Sequence, residues 1–180
     1  MARYHHGDLR DEILAAAAAA IAADGVGGLS LRAIATGLGV SHTAFRRHLG
    51  SREGVLNALA VQGNLMLAEA LEAAAGEGEF IDVGVAYVRF AVTHPGHFTV
   101  MFRSDLLDNT DPDLVAARAR SFAPLVAGVA ALGLDDPEAG EVTGWAVAHG
   151  IATLALTGNL PGDAEALARR ALSLTYPPPR

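Results

Sequence analysis

Cysteine is absent from this 180-residue sequence and so is lysine, all 13 basic residues being arginine. Without cysteine there is neither a disulfide framework nor a thiolate metal site. No apolar run of about 18 residues is free of charge or a helix breaker, so no membrane span is expected. The opening Met1-Ala2-Arg3-Tyr4-His5-His6 lacks an apolar core and acidic residues follow closely, so no secretory signal is expected. The expectation is a cytosolic protein. Alternating strand patterns and internal repeats are missing, as are a Gly-x-Ser-x-Gly elbow, a phosphate loop and a dinucleotide glycine motif. These absences weigh against an enzyme, and no cofactor is expected.

What is present is helix. Hydrophobic residues make up 51% of the chain, many of them alanine, which loses no side-chain entropy on ordering. Leu9, Ile13, Leu14, Ala17 and Ile21 recur at helical spacing, and Asp24-Gly25 ends their helix. Leu31, Ile34, Ala35 and Leu38 mark a short second helix with Ser30 as its N-cap, broken at Gly39. Ser41 caps a third helix through Leu49, and Gly50-Ser51 opens a long fourth to about Ala75. Gly76 to Glu79 form a turn. Helices follow at about 80–93 and 95–103, divided by Pro95, then a polar loop over 104–112. Three more run at about 113–132, 137–157 and 163–175, with Pro137 and Pro161 near helix starts. The tail from Tyr176 through three prolines to Arg180 reads as frayed. The fold class is all-α.

A net charge of −7 is unpromising for nucleic acid, but it is unevenly spread. Residues 1–56 carry six Arg against five acids, and the remainder seven Arg against fifteen acids. The first segment is therefore slightly basic and the rest strongly acidic. Local charge, not the total, steers a polyanion.

Residues 31–49 have the makings of a helix-turn-helix. Ala35 is small where two helices cross, Gly39 tolerates positive φ in the turn, and Ile34, Leu38, Val40 and Phe45 join the pair. The second helix then shows His42, Thr43, Ala44, Arg46 and Arg47 to solvent, a face suited to the major groove. Arg can bond guanine bidentately, Thr and Ala methyls can meet thymine, and His can donate to base acceptors. Ser30, Ser41 and Arg52 stand at helix starts, where they can grip phosphates. The competing reading is an ordinary helical hairpin with a solvated Arg pair.

At these positions the sequence resembles the TetR family of bacterial transcriptional regulators. The resemblance lies in Leu29-Ser-Leu-Arg-Ala-Ile-Ala35, Gly39-Val-Ser-His42 and Arg47-His-Leu-Gly-Ser-Arg-Glu53. Tyr4-His-His-Gly-Asp-Leu9 is similar to the start of one branch, and Gly144-Trp-Ala-Val-Ala-His-Gly150 resembles that branch's Trp-His-Gly motif. Tyr87 to Pro95 and Phe98 to Phe102 also fit. Arg46 stands where the family usually has a phosphate-contacting Tyr, and Leu49 replaces the usual Phe.

The resemblance implies a three-helix DNA-binding head at 1–52, a helical ligand-binding and dimerisation domain at 53–176, and a disordered tail at 177–180. The long fourth helix would join head to body. It implies DNA contacts from Ser30, Arg32, Ser41, His42, Thr43, Ala44, Arg46, Arg47, His48 and Arg52. It further implies a homodimer through the last two helices, a double-stranded operator, and repression relieved by a small molecule. Gly144, Ala146, Ala148, Gly150 and Ala152 suit close helix approach. The body's candidate effector contacts are Tyr87, Phe90, His94, Phe98, Met101, Phe102, Phe122, Trp145 and His149, with Arg89 and Thr153 as further polar groups. For each, ordinary core packing is the alternative. His94 and His97 lie three apart, but Pro95 intervenes and no second ligand pair is apparent, so no metal site is expected.

Overall fold

The computed structural model describes residues 6–41, 43 and 49–176. Among these there are eight α-helices and no strand. In chain order they are α1 (His6–Asp24), α2 (Leu31–Gly37), α3 (Arg52–Glu77), α4 (Phe80–Thr93), α5 (Pro95–Met101), α6 (Pro112–Leu132), α7 (Pro137–Leu156) and α8 (Ala164–Thr175). Thr43 and Leu49 are also helical. The helical periodicity therefore located every described helix, with ends within a few residues.

The boundaries follow from caps. Gly25 stops α1 at φ 69°, its N–H reaching the Ile21 carbonyl at 2.9 Å. Asp136 and Asp163 each accept a bond at 3.0 Å from the backbone N–H three residues on, starting α7 and α8. Pro95 and Pro137 occupy first helical positions, where a missing N–H costs nothing. The stretch expected as loop after α5 contains a short 3-10 turn, Ser104–Leu106.

Contacts divide the chain into two compact units, Met1–Gly63 with His94–Val115, and Asn64–Thr93 with Ala116–Arg180. These packing units cut the chain differently from the expected functional division at 52/53, because side chains of 53–63 and 94–115 fill the same core as the N-terminal helices. In the first unit that core includes Leu9, Ile13, Leu14, Ala17 and Ile21 of α1, Ile34 of α2, Val55, Leu56 and Leu59 of α3, and Val100, Leu107 and Leu114. Glycine lets α5 in: a side-chain carbon on Gly96 would strike the Ala18 backbone, and one on Gly63 would lie 2.7 Å from the Met101 sulfur.

The second unit is built on α4, which packs against α7 and α8. Val83, Val88, Phe90 and Ala91 of α4 are buried, as are Val129, Ala148, Ile151, Ala152, Ala168 and Leu172. Tyr176 is no part of a frayed end. It is buried, stacks edge-on against Phe80 at 5.1 Å, and donates its hydroxyl to the Gly140 carbonyl at 2.5 Å. The aromatic ring has a core slot to fill, and this overrides the helix-breaking prolines behind it.

Two helices, Arg52–Gly76 within α3 and Pro112–Leu132 of α6, are long and apolar enough to cross a membrane by length and composition alone. Both carry charge well inside their length, Glu69 and Glu72 in one and Arg118 and Arg120 in the other. Each such charge is costly at a bilayer centre, by about 3 kcal/mol. The apolar residues of α3 serve the protein core instead, 61% of its most apolar window being buried.

Candidate nucleic-acid interface and effector site

The helix-turn is laid out residue by residue in the first unit. Ser30 adopts extended backbone and its hydroxyl accepts from the Ala33 N–H at 3.3 Å, which starts α2. Ile34 and Ala35 face the core. The chain leaves α2 through Gly39 at φ 67°, with the Val40 N–H returning to the Ala35 carbonyl at 3.0 Å. A side chain at φ 67° would be strained, so glycine is required for this turn. Beyond it Thr43 is helical and exposed, while Leu49 is helical and buried. Gly50 turns the chain again at φ 68°, and Ser51 caps α3 by accepting from the Gly54 N–H at 3.2 Å. The Ser51 hydroxyl also holds the Glu53 carboxylate below its ordinary pKa.

Of the expected DNA contacts, Ser30, Arg32, Ser41 and Thr43 are all on the surface, with Arg32 exposed on α2. Arg52 is only partly exposed, and its guanidinium donates to the Val26 carbonyl at 2.5 Å. That bond ties the start of α3 to the turn after α1, a structural duty the sequence did not reveal. His42, Ala44, Arg46, Arg47 and His48 lie outside the described residues.

The expected effector contacts fall into two groups. In the second unit, Tyr87, Trp145 and His149 are linked. The buried Tyr87 hydroxyl lies 2.8 Å from His149 Nδ1, and Trp145 Nε1 donates to Tyr87 at 3.4 Å. Phe122 meets the Trp145 ring edge-on at 6.3 Å, and both rings are exposed. Burial raises the Tyr87 pKa well above that of an ordinary phenol, so Tyr87 stays protonated. Burial likewise lowers that of His149, favouring a neutral ring that accepts from Tyr87. Phe90 is buried in the α4 core. Arg89 is paired with Glu165 at 2.6 Å on the surface.

The other group belongs to the first unit. Phe98 is buried and tilted against the half-exposed Phe102 at 5.0 Å, and Met101 packs on Gly63. His94 stands at the N-cap position of α5, and its ring lies edge-on to His97 at 6.1 Å. His97 itself is not among the residues the sequence singled out as contacts. It is buried, with Nε2 3.0 Å from Gln62 Oε1, and burial together with the neighbouring His94 pushes its pKa down. No cluster of three or more His, Cys, Asp or Glu able to hold a metal is found among the described residues.

Sequence reasoning also missed Asn57, which reaches the 108–111 turn, and Asn64, which accepts from the Ser121 hydroxyl at 3.1 Å. Asn57 and Asn64, seven residues apart, are polar positions on a face of α3 that is otherwise apolar through Ala60, Val61, Ala68 and Leu71. That mismatch was the available signal.

A capped helix and a glycine turn, with Thr43 helical and exposed beyond them and Leu49 helical and buried, fit the helix-turn-helix class of DNA-binding protein. Similarity to known proteins agrees along the chain. Residues 13–59 match the model of bacterial regulatory proteins of the tetR family, and residues 80–175 that of the Tetracyclin repressor-like C-terminal domain. An HTH-type transcriptional regulator from Mycobacterium tuberculosis is 27% identical over 155 residues, which is 83% of this chain and 71% of the relative. A Rhodococcus sp. RHA1 protein of unknown function is 36% identical with a TM-score of 0.80, over 98% of this chain and 97% of that one. The TetR family transcriptional regulator PfmR from Thermus thermophilus shares the fold, with a TM-score of 0.69 at 23% identity over 92% and 97% of the two chains. The chain belongs to the TetR family of bacterial transcriptional regulators, which bind DNA and are not enzymes.

Proposed function

We propose that this regulator is a repressor that binds a palindromic operator as a homodimer and is released by a small, largely apolar effector. The observation that carries the reading is the Ser30 cap followed by the Gly39 turn, beyond which Thr43 is helical and exposed. In this reading residues 1–52 form the head and 53–176 the effector and dimer domain, and the protein acts in the cytoplasm. His42, Thr43, Ala44, Arg46 and Arg47 read the major groove, Arg32 and His48 flank it, and Ser30, Ser41 and Arg52 contact phosphate.

Support for dimerisation comes from the exposed apolar face of the last two helices. Val142, Leu154 and Leu174 are 57%, 45% and 86% exposed, and Ala146 between them is exposed as well. Such a face on two packed helices suits a four-helix bundle with a second copy. Two heads would then meet major grooves about 34–36 Å apart. A single weakly basic head would bind poorly. For the effector, Tyr87, Trp145, His149 and Phe122 of the second unit offer an aromatic wall with polar handles. The effector must favour one head placement over the other, or it shifts nothing.

Selection of genomic fragments with the purified protein, followed by footprinting, tests the reading. A protected inverted repeat and affinity that falls steeply with salt are expected, because phosphate counterions are released. Arg46→Ala with Arg47→Ala should abolish protection. Sedimentation should give a dimer at micromolar concentration. No preferred duplex at low ionic strength, or a monomer, would overturn it.

A further inference from the structure

Asn57 is a polar side chain, 9% exposed, on a stretch of α3 that otherwise reads Val55, Leu56, Ala58, Leu59, Ala60 and packs in the core of the first unit. Burying an amide there costs free energy unless both its ends are bonded. Both are. Asn57 Nδ2 donates to Asp111 Oδ2, and Asn57 Oδ1 accepts from the Asp108 N–H at 3.2 Å. No apolar residue supplies this, and no carboxylate does either, since one end must donate and the other accept.

The partners are themselves engaged. Asp111 turns its second oxygen to the Asp113 N–H at 2.9 Å, capping α6. Asp108 accepts from the Thr110 N–H and hydroxyl at 2.9 and 2.6 Å, bonds that hold its carboxylate below the ordinary range. The 108–111 turn is thus braced from within, and Asn57 fastens it to α3. The place matters. Asn57 lies five residues into α3, directly after the recognition segment, and lines a cavity of about 470 Å³ with Leu49, Val61, Arg10, Asp108 and Asp111. Leu49 ends that segment and is buried. The stretch 94–115 enters the first unit from α4 and leaves it through α6, the helix that goes on to carry Phe122.

We propose that Asn57 is a positioning residue for DNA binding, clasping the 108–111 turn and the cap of α6 to the helix that follows the recognition segment. The clasp fixes how α3 packs beside the buried Leu49 that precedes it. Anything that draws α6 or the turn away opens the clasp and loosens the head. The proposal rests on the DNA-binding reading above.

The test is a swap in the full chain. Asn57→Asp sets two carboxylates against each other. Adding Asp111→Asn restores both bonds, the one between positions 57 and 111 with its direction reversed. The carboxylate now at position 57 still accepts from the Asp108 N–H, and the amide now at position 111 donates to it. The readout is affinity for a duplex that the parent protein selects from random-sequence DNA, taken well below each variant's melting temperature. Amide exchange of 30–49 and 104–113 is measured in parallel without DNA. Expected are losses of about tenfold for Asn57→Ala and about thirtyfold for Asn57→Asp, less than about threefold for Asp111→Asn, and recovery to within about threefold in the double variant. Exchange in both segments should rise in the single Asn57 variants and return in the swap. A charge effect alone would instead make Asp111→Asn bind more tightly by as much as Asn57→Asp binds less, which would overturn the proposal. So would a double variant as weak as Asn57→Asp, or an Asn57→Ala variant that melts lower yet keeps parental affinity and exchange at 30–49. If the parent selects no duplex, the DNA-binding reading falls, and the exchange arm still decides whether the clasp holds the head.

Discussion

Gly96 of α5 lies against Ala18 of α1 so closely that a side-chain carbon on it would come within 2.8 Å of the Ala18 carbonyl carbon. Neither partner can turn aside, since the atoms in the way are backbone. Gly96→Ala should therefore destabilise the first unit by about 3 kcal/mol, read as a lower urea midpoint. Gly37→Ala is the control. Gly37 sits in α2 with nothing near it, so alanine there should be neutral or stabilising by about 0.5 kcal/mol. Equal midpoints for the two variants would contradict this packing.

Arg52 has an internal role that a phosphate contact alone would not give. Its guanidinium bond to the Val26 carbonyl is charge-assisted, and such bonds contribute about 1.5–3 kcal/mol. Arg52→Ala should lower the melting temperature in the absence of DNA and weaken DNA binding as well. If affinity alone changes, the bond to Val26 contributes nothing.

Tyr176 should matter although it stands at the edge of a proline-rich end. Tyr176→Phe keeps the Phe80 contact but removes the donor to Gly140, leaving a buried carbonyl short of one partner. A loss of about 1–2 kcal/mol is expected in denaturant unfolding. A parental midpoint would show that water replaces the bond at no cost.

The buried His97 and the partly buried His149 predict a pH dependence with a definite sign. His97 and His149 are both pushed below the ordinary imidazole value, chiefly by burial. Their unfolded values lie at about 6.5, so just below that pH the unfolded chain binds more protons than the folded one. Stability should thus be full above about pH 7 and fall as pH drops through 6.5 toward the folded values. Unfolding measured from pH 8 to 5.5 should show a shallower acid slope for His149→Asn and for His97→Asn than for the parent. Unchanged slopes in both would sink the assignment. Since Tyr87 donates to neutral His149, acid should also disturb the Tyr87–Trp145–His149 group, visible as a change in Trp145 fluorescence.

Leu9, Ile13, Leu14, Ala17 and Ile21 announce α1 because they recur at helical spacing, and all five are buried. Ser30 and Gly39 announce the helix-turn because caps and positive φ are local demands met by few residue types. Tyr87, Trp145 and His149 stand out only as separate candidates from two distant stretches. Nothing along the chain says that one hydroxyl joins all three. Arg52 reads as a phosphate contact because its position at a helix start is visible, whereas its bond to Val26, twenty-six residues earlier, is not. Tyr176 reads as frayed because the prolines that follow it are a strong local signal and the slot beside Phe80 is not.

The sequence by itself determined the all-α class, the helix boundaries and the placing of the turn, since these depend on spacing, capping and backbone conformation within a few residues. Only the tertiary structure decided which polar residues of α3 hold something, that Gly96 admits α5 onto α1, and that Asn57 takes both Asp108 and Asp111. Those contacts join residues 26 or more positions apart, and a sequence carries no distance between residues until the chain has packed.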